Sequence, residues 1–153
     1  MKTFILASVF LMLFVSEALV KMMLSLVVGD FGWFDSLDRV VGDYTSESFL
    51  FSLGFRSIPY VIFILATAFL SKKLQIQEYK TVYWFWLIGM TLFIGFGYWT
   101  AQLSLFTDEH TPSTYALDFI IVPIIAIPVG PIFGIAGLLY VTFLKRLKRL
   151  LQA

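Results

Sequence analysis

Four long runs of apolar residues, separated by short polar segments, dominate the pattern along the chain. The runs cover about residues 3–28, 49–71, 81–106 and 116–144. Each is long enough to cross the roughly 30 Å hydrocarbon core of a bilayer as an α-helix, which takes about 20 residues. A helix is expected because a segment in lipid has to satisfy its own backbone hydrogen bonds. The pattern predicts an all-α integral membrane protein, a bundle of four transmembrane helices in a single domain, residues 1–153.

The first apolar run has a second interpretation as a secretory signal peptide. Lys2 precedes an apolar core, and the segment Ser16-Glu17-Ala18 resembles a cleavage site with small residues on either side. The apolar run resumes at Leu19 and continues to Val28, which favours a full span. Cleavage would leave three spans in the same orientation and would remove Glu17.

Residues 29–48 are too polar to span a membrane and too aromatic for a simple linker. Phe34, Leu37, Val41 and Tyr44 recur at helical spacing, and Gly42 is a plausible end. This pattern predicts a short amphipathic helix at the membrane interface, in the first outer loop.

The start of this segment supplies a candidate docking surface, formed by Trp33, Phe34, Asp35 and Asp38. The two aromatic residues could anchor the helix on the outer membrane surface. We consider two roles for it: a lid that rests on the helix bundle, or an acidic platform for a partner.

The fourth run is longer than one straight span requires and is rich in proline. An internal proline removes a backbone hydrogen bond and tends to kink a helix. We therefore expect residues 114–122 to form an interfacial helical turn and residues 123–144 to form a kinked span. The prolines of this region are Pro112, Pro123, Pro128 and Pro131.

Small residues follow the first kinks of this run. Ala126, Gly130 and Gly134 repeat every four residues, and Gly137 lies one turn further on. Small side chains let two helix backbones approach closely in lipid. This small-residue stripe is expected to pack within the chain, or to contact another copy or another protein.

Composition limits the chemistry. Hydrophobic residues make up 59% of the 153 residues and charged residues 14%, against about 25% charged in soluble domains. The chain has no cysteine and a single histidine, His110, in the segment Asp108-Glu109-His110, whose spacing matches no established metal site. No catalytic triad, phosphate-binding loop or dinucleotide motif is present. We expect no enzyme activity, no metal and no cofactor.

The distribution of Lys and Arg predicts the orientation. Basic residues concentrate at the N-terminus, in the second loop and in the C-terminal tail, which an even number of spans places on one side. The excess of Lys and Arg marks the cytoplasmic side, so both termini are expected in the cytoplasm. The eight basic residues of this side, which has the one acid Glu78, are Lys2, Lys72, Lys73, Lys80, Lys145, Arg146, Lys148 and Arg149.

Four charged residues fall within or beside the spans: Glu17, Lys21, Arg56 and Asp118. A charge in the bilayer costs roughly 2.5–3.5 kcal/mol on insertion scales, so each needs a partner or a role. All four are expected at similar depth, where they could form one neutral cluster between the first, second and fourth spans. The cluster could fix helix register, or it could be a proton or cation site built on Glu17.

These features favour a protein that acts by interaction with another membrane protein, as an accessory subunit of a membrane complex or as an immunity protein against a membrane-acting toxin. The alternative is an oligomeric small-molecule or ion transporter or channel that uses the intramembrane charges. The expected partners are the lipid bilayer and either another membrane protein or further copies of the chain, with no nucleic acid. Short loops and the charge bias favour a bacterial inner membrane.

Overall fold

A computed structural model describes residues 2–72, 76–107 and 115–152. This part of the chain is helical, with no strand. Six helices follow one another along the sequence: α1 (Lys2–Phe14), α2 (Glu17–Val27), α3 (Trp33–Asp43), α4 (Ser46–Leu70), α5 (Ile76–Leu103) and α6 (Tyr115–Leu151).

Three helices, α4, α5 and α6, are long and apolar enough to cross a membrane. Helices α1 and α2 meet the same requirement only together, as a pair bent by 54° at a short break. The all-α membrane fold predicted from the sequence is thus confirmed at the level of three candidate spans, with a fourth if the bent pair is one span.

The break in the first apolar run is a difference from the single continuous helix predicted there. Ser16 has an extended backbone, and its hydroxyl accepts a hydrogen bond from the Leu19 amide at 3.2 Å. Ser16 is therefore the N-cap of a new helix, since a serine side chain in this place satisfies an otherwise free backbone donor. Glu17 follows in the first turn of α2, where the helix dipole favours a negative charge.

The fourth apolar run also differs from the prediction: it forms one continuous helix where two segments were expected. Residues 115–151 form one helix that includes Pro123, Pro128 and Pro131, with no separate interfacial turn before Pro123. Membrane helices tolerate internal proline because neighbouring helices and local adjustments satisfy the freed backbone groups.

Helix α5 lies at the centre of the packing and contacts α1, α2, α4 and α6. Its most extensive contact is with α6. Buried residues cover more than one side of α5, as expected for a helix with neighbours in several directions. They include Tyr83, Leu87, Met90, Ile94 and Tyr98, spaced three or four apart, and Val82 and Trp86, which lie against α6.

The short helix α3 confirms that residues 29–48 contain a helix, which ends one residue after the predicted stop at Gly42. It contacts α2, and only Ser36 of its residues is buried. Thr45 then caps the start of α4, because its hydroxyl accepts a hydrogen bond from the Ser48 amide at 3.2 Å.

Candidate functional site

A buried ion pair joins α2 to α4. Arg56 Nη1 donates a hydrogen bond to Glu17 Oε2 at 2.5 Å. Glu17 is 1% exposed and Arg56 is not exposed at all. Such a pair is favourable only when both charges are present, because either charge alone would be buried without compensation. The pair therefore fixes the start of α2 against the third turn of α4.

Polar side chains from α4 and α5 surround this pair. Gln102 Nε2 donates to the backbone carbonyl of Glu17 at 3.0 Å. The Tyr98 hydroxyl lies next to Ser52 and Arg56. All of these side chains are buried, so the apolar bundle contains one contiguous polar region, which we call the buried polar cluster: Glu17, Ser52, Arg56, Tyr98 and Gln102.

Several atoms of the buried polar cluster lack a hydrogen-bond partner within the described part of the chain. They are Arg56 Nε and Nη2, Ser52 Oγ, Tyr98 Oη and Gln102 Oε1. A buried polar group without a partner costs about 1–3 kcal/mol, more if it is charged. Ser52, Arg56 and Tyr98 lie next to one another, so some of these atoms are close to pairing among themselves, and the others are places for ordered water.

The structure corrects the four-residue charge cluster predicted from the sequence. Only Glu17 and Arg56 pair with one another; Lys21 pairs instead with Asp43 at the end of α3. The break at Ser16 explains this, because Glu17 opens α2 and is held by α4, whereas Lys21 lies one turn further towards α3. Asp118 forms no ion pair with any residue that the structure describes.

The small-residue stripe of α6 faces α5. A Cβ atom added at Gly130 would lie 2.2 Å from Trp86 Nε1, and one at Gly137 would lie 2.9 Å from Phe85 Cβ. At Gly134 the nearest atom would be Trp86 Cε3 at 3.3 Å. Ala126 of the same stripe is buried. The stripe thus accommodates large aromatic side chains of this same chain.

The candidate docking surface on α3 is exposed. Trp33, Phe34, Asp35 and Asp38 all have exposed side chains. Arg39 lies over Phe31, with its guanidinium carbon 3.7 Å from the centre of the ring. The apolar side of α3 therefore does not pack on the bundle in the manner of a closed lid.

An open cleft of about 710 Å³ lies between α2, α4, α5 and α6, below the end of α3. Its lining includes three members of the buried polar cluster, and charged residues from α2, α3 and α4. We call it the polar cleft; its lining residues are Glu17, Lys21, Asp43, Tyr44, Glu47, Ser48, Phe51, Ser52, Gln102, Leu105 and Phe119.

Metal binding finds no support in the described ranges, where no group of three potential ligand side chains could hold an ion. The segment Asp108-Glu109-His110 lies outside the described residues. Sequence reasoning missed Asp43, Ser52, Tyr98 and Gln102. The available signal was weak: Gln102 is a polar residue near the end of an otherwise apolar run, as Ser52 is near the start of another.

No protein-family model, curated protein or solved structure matches the chain.

Proposed function

We propose that this chain is a small four-span membrane protein that acts by binding another membrane protein, as an accessory subunit of a membrane complex or an immunity protein against a membrane-acting toxin. In this proposal α1 and α2 together form the first span, both termini are cytoplasmic, and the membrane is a bacterial inner membrane. The exposed apolar side of α3 carries the proposal.

This side of α3 combines apolar and acidic residues. Phe34 is 79% exposed, Val41 69% and Trp33 60%. At about 100° per residue, these residues share one side of the helix, and Asp38 lies at its edge. A contiguous exposed apolar patch is typical of an interaction site.

The charge of α3 favours a protein over the bilayer as its partner. Helices that lie in a membrane surface are usually rich in Lys and Arg, which attract anionic lipid. Helix α3 instead has three aspartates and one arginine, and the arginine stacks on Phe31. We therefore expect a partner that presents an apolar groove with basic residues at its rim.

Site-specific photo-crosslinking tests the proposal directly. A photoreactive residue placed at Phe34 should give one crosslinked protein band in cells, which mass spectrometry identifies. The same residue at Leu150, equally exposed at the far end of α6, is the matched control. A band of twice the chain mass would identify a second copy as the partner. Crosslinks to lipid alone would contradict the proposal.

Loss of function at the same surface gives a second test. The double substitution Phe34→Gln and Val41→Gln should abolish co-purification of the crosslinked partner, because it removes the apolar contact. The matched pair Leu150→Gln and Leu151→Gln should leave it intact. Reassociation of the two purified proteins should show the same dependence. Equal binding by both double variants would refute the role of α3.

The proposed orientation is testable because the chain contains no cysteine. Each introduced cysteine is then the only thiol. A cysteine substituted for Asp38 should react with a membrane-impermeant maleimide in intact spheroplasts. One substituted for Lys148 should react only after permeabilisation. The reverse pattern would overturn the orientation, and labelling of both would overturn the four-span topology.

A second candidate function is an oligomeric transporter or channel that uses the intramembrane charges. The polar cleft favours it, since Glu17 is one of the residues that line the cleft. That carboxylate is committed to Arg56, so transport would require the pair to open. If the chain is a transporter, Glu17→Gln protein that is first shown to be folded and inserted should give no flux into proteoliposomes and should still bind the partner. Unchanged flux would exclude Glu17 as the transport site.

A further inference from the structure

Helix α6 is longer than a bilayer requires. Its 37 residues extend for about 55 Å at about 1.5 Å per residue, against roughly 30 Å of hydrocarbon. Val141 is the last buried residue of α6, and every residue from Lys145 to Leu151 is exposed. The helix therefore continues well beyond the part that packs against its neighbours.

This last part of α6, residues 143–151, has two chemically different sides, and we call it the basic end of α6. At about 100° per residue, the basic side covers about 160° of the helix surface and the apolar side about 120°. The basic side consists of Lys145, Arg146, Lys148 and Arg149. The apolar side includes Phe143, Leu147, Leu150 and Leu151, whose side chains are all exposed. The bundle thus covers neither side.

The positive charge of the basic end is not balanced within α6. Asp118 lies in the first turn of this helix, and the sequence contains no acidic residue after it. Arg146, Lys148 and Arg149 form no ion pair with a residue that the structure describes. Because a concentrated positive charge attracts anions, this surface fits an anionic partner.

The apolar side favours a lipid surface over a soluble anion. Helices that lie in a membrane surface combine a basic side with an apolar side in this way. An apolar stretch longer than the bilayer is accommodated by tilting, so the basic end would leave the hydrocarbon obliquely, with its apolar side towards the acyl chains. A soluble polyanion would contact the basic side alone and leave the leucines in water. Helix α3 has the opposite charge and is proposed above to bind a protein.

We propose that the basic end of α6 binds anionic phospholipid of the membrane into which the protein inserts. The guanidinium and ammonium groups pair with the negatively charged headgroups, and the leucines lie at the boundary with the acyl chains. This site rests on the membrane insertion proposed above, and in the proposed orientation it binds lipid of the cytoplasmic leaflet. It does not depend on partner binding by α3.

Fluorescence quenching by brominated lipid tests this preference next to the site. The chain has no cysteine, so Gln152→Cys gives a single position for a fluorophore directly after α6. The full-length protein is placed in nanodiscs of equal parts phosphatidylglycerol and phosphatidylcholine, with bromine on only one of the two lipids. Brominated phosphatidylglycerol should quench at least about twofold more strongly at low salt. The difference should disappear in about 1 M salt, which screens charges beyond about 3 Å. Equal quenching at low salt would overturn the proposal.

Two variants of equal charge locate the site. The first combines three substitutions in the basic end: Arg146→Gln, Lys148→Gln and Arg149→Gln. The second combines three at exposed basic residues outside α6: Lys2→Gln, Lys72→Gln and Lys80→Gln. The first should remove most of the preference for phosphatidylglycerol, and the second should keep the wild-type preference. All six positions are exposed, so folding is not at risk. Equal loss in both variants would indicate only a general positive field and would overturn the assignment to α6.

Crosslinking distinguishes the other candidate occupants, an acidic protein or a second copy of the chain. A photoreactive residue at Leu150, the control position of the α3 experiment, should crosslink lipid and no protein. A crosslinked protein there would assign the basic end to a protein and overturn the proposal. Nanodiscs present the same lipids on both faces, so the quenching result does not depend on the proposed orientation. Failure of the α3 crosslink would also leave it unaffected.

Discussion

The Glu17–Arg56 pair allows an asymmetric prediction about stability. Both side chains are fully or almost fully buried, and their charged atoms are 2.5 Å apart. Removal of one partner of a buried pair costs about 3–5 kcal/mol, mainly because the remaining charge is buried alone. The two single substitutions are not equivalent, however. A lone carboxylate can take up a proton and become neutral, whereas a lone guanidinium stays charged.

We therefore expect Glu17→Gln to lower the free energy of unfolding by about 4–5 kcal/mol, towards the upper end of this range. Arg56→Met should cost about 3 kcal/mol, the lower end of the same range. The double variant leaves no buried charge. It should therefore cost at least about 2 kcal/mol less than the sum of the single variants, as coupled neighbours do.

Reversible unfolding in mixed detergent micelles, followed by the fluorescence of the four tryptophans, measures these differences. Protein insertion is checked first in the membrane fraction. A single variant can fall below the stability needed to accumulate, since folded proteins have only about 5–15 kcal/mol in total; recovery of expression in the double variant is then the readout. Additive costs, or single costs below about 1 kcal/mol, would refute the reasoning, since that is the value of an exposed pair.

Two further predictions follow from helix packing and from the position of α3. Gly130→Ala should destabilise the protein by about 1–3 kcal/mol, because its Cβ would lie 2.2 Å from Trp86 Nε1. The control Gly54→Ala, whose Cβ would have no atom within 4 Å, should be neutral or stabilising by up to about 1 kcal/mol. Equal unfolding midpoints for the two variants would contradict the packing argument. Asp43→Asn removes the Lys21–Asp43 pair, whose side chains are 17% and 57% exposed, so it should lower the free energy of unfolding by less than about 1 kcal/mol. It should nevertheless accelerate amide hydrogen exchange throughout α3. Unchanged exchange would show that the pair does not hold α3 in place.

The apolar pattern predicted the helices because length and hydropathy are local properties of the sequence. It did not predict the break at Ser16, since apolar residues continue on both sides of it. The signal for the break was present: a serine followed by a glutamate is a common helix start. The same residues resemble a signal-peptide cleavage site, so the pattern was compatible with two interpretations. In α6 the opposite error occurred: the prolines predicted a division of the segment, but the helix continues through all three, as membrane helices can.

The candidate site was harder to predict, because the choice of ion-pair partner depends on the direction of each charged side chain as well as on its depth in the membrane. The spacing of Glu17 and Lys21 predicted one shared face, yet the two residues pair with Arg56 and Asp43. Asp43 is the last residue of α3, and no local pattern in the sequence indicates where α3 lies relative to α2. Gln102 is separated from Glu17 by 85 positions in the sequence, and only the packing of α2 on α5 brings them together.

The break, the ion pair and the Gln102 bond are physically connected. The break at Ser16 makes Glu17 the first residue of a new helix, and there its carboxylate meets Arg56. The Glu17 carbonyl oxygen accepts the bond from Gln102 with the lone pair that the helix does not use. The bond from Gln102 fixes the direction of its amide and joins α5 to the start of α2. A substitution that made the first span continuous should therefore disturb the Glu17–Arg56 pair and the Gln102 bond together, without touching the docking surface of α3.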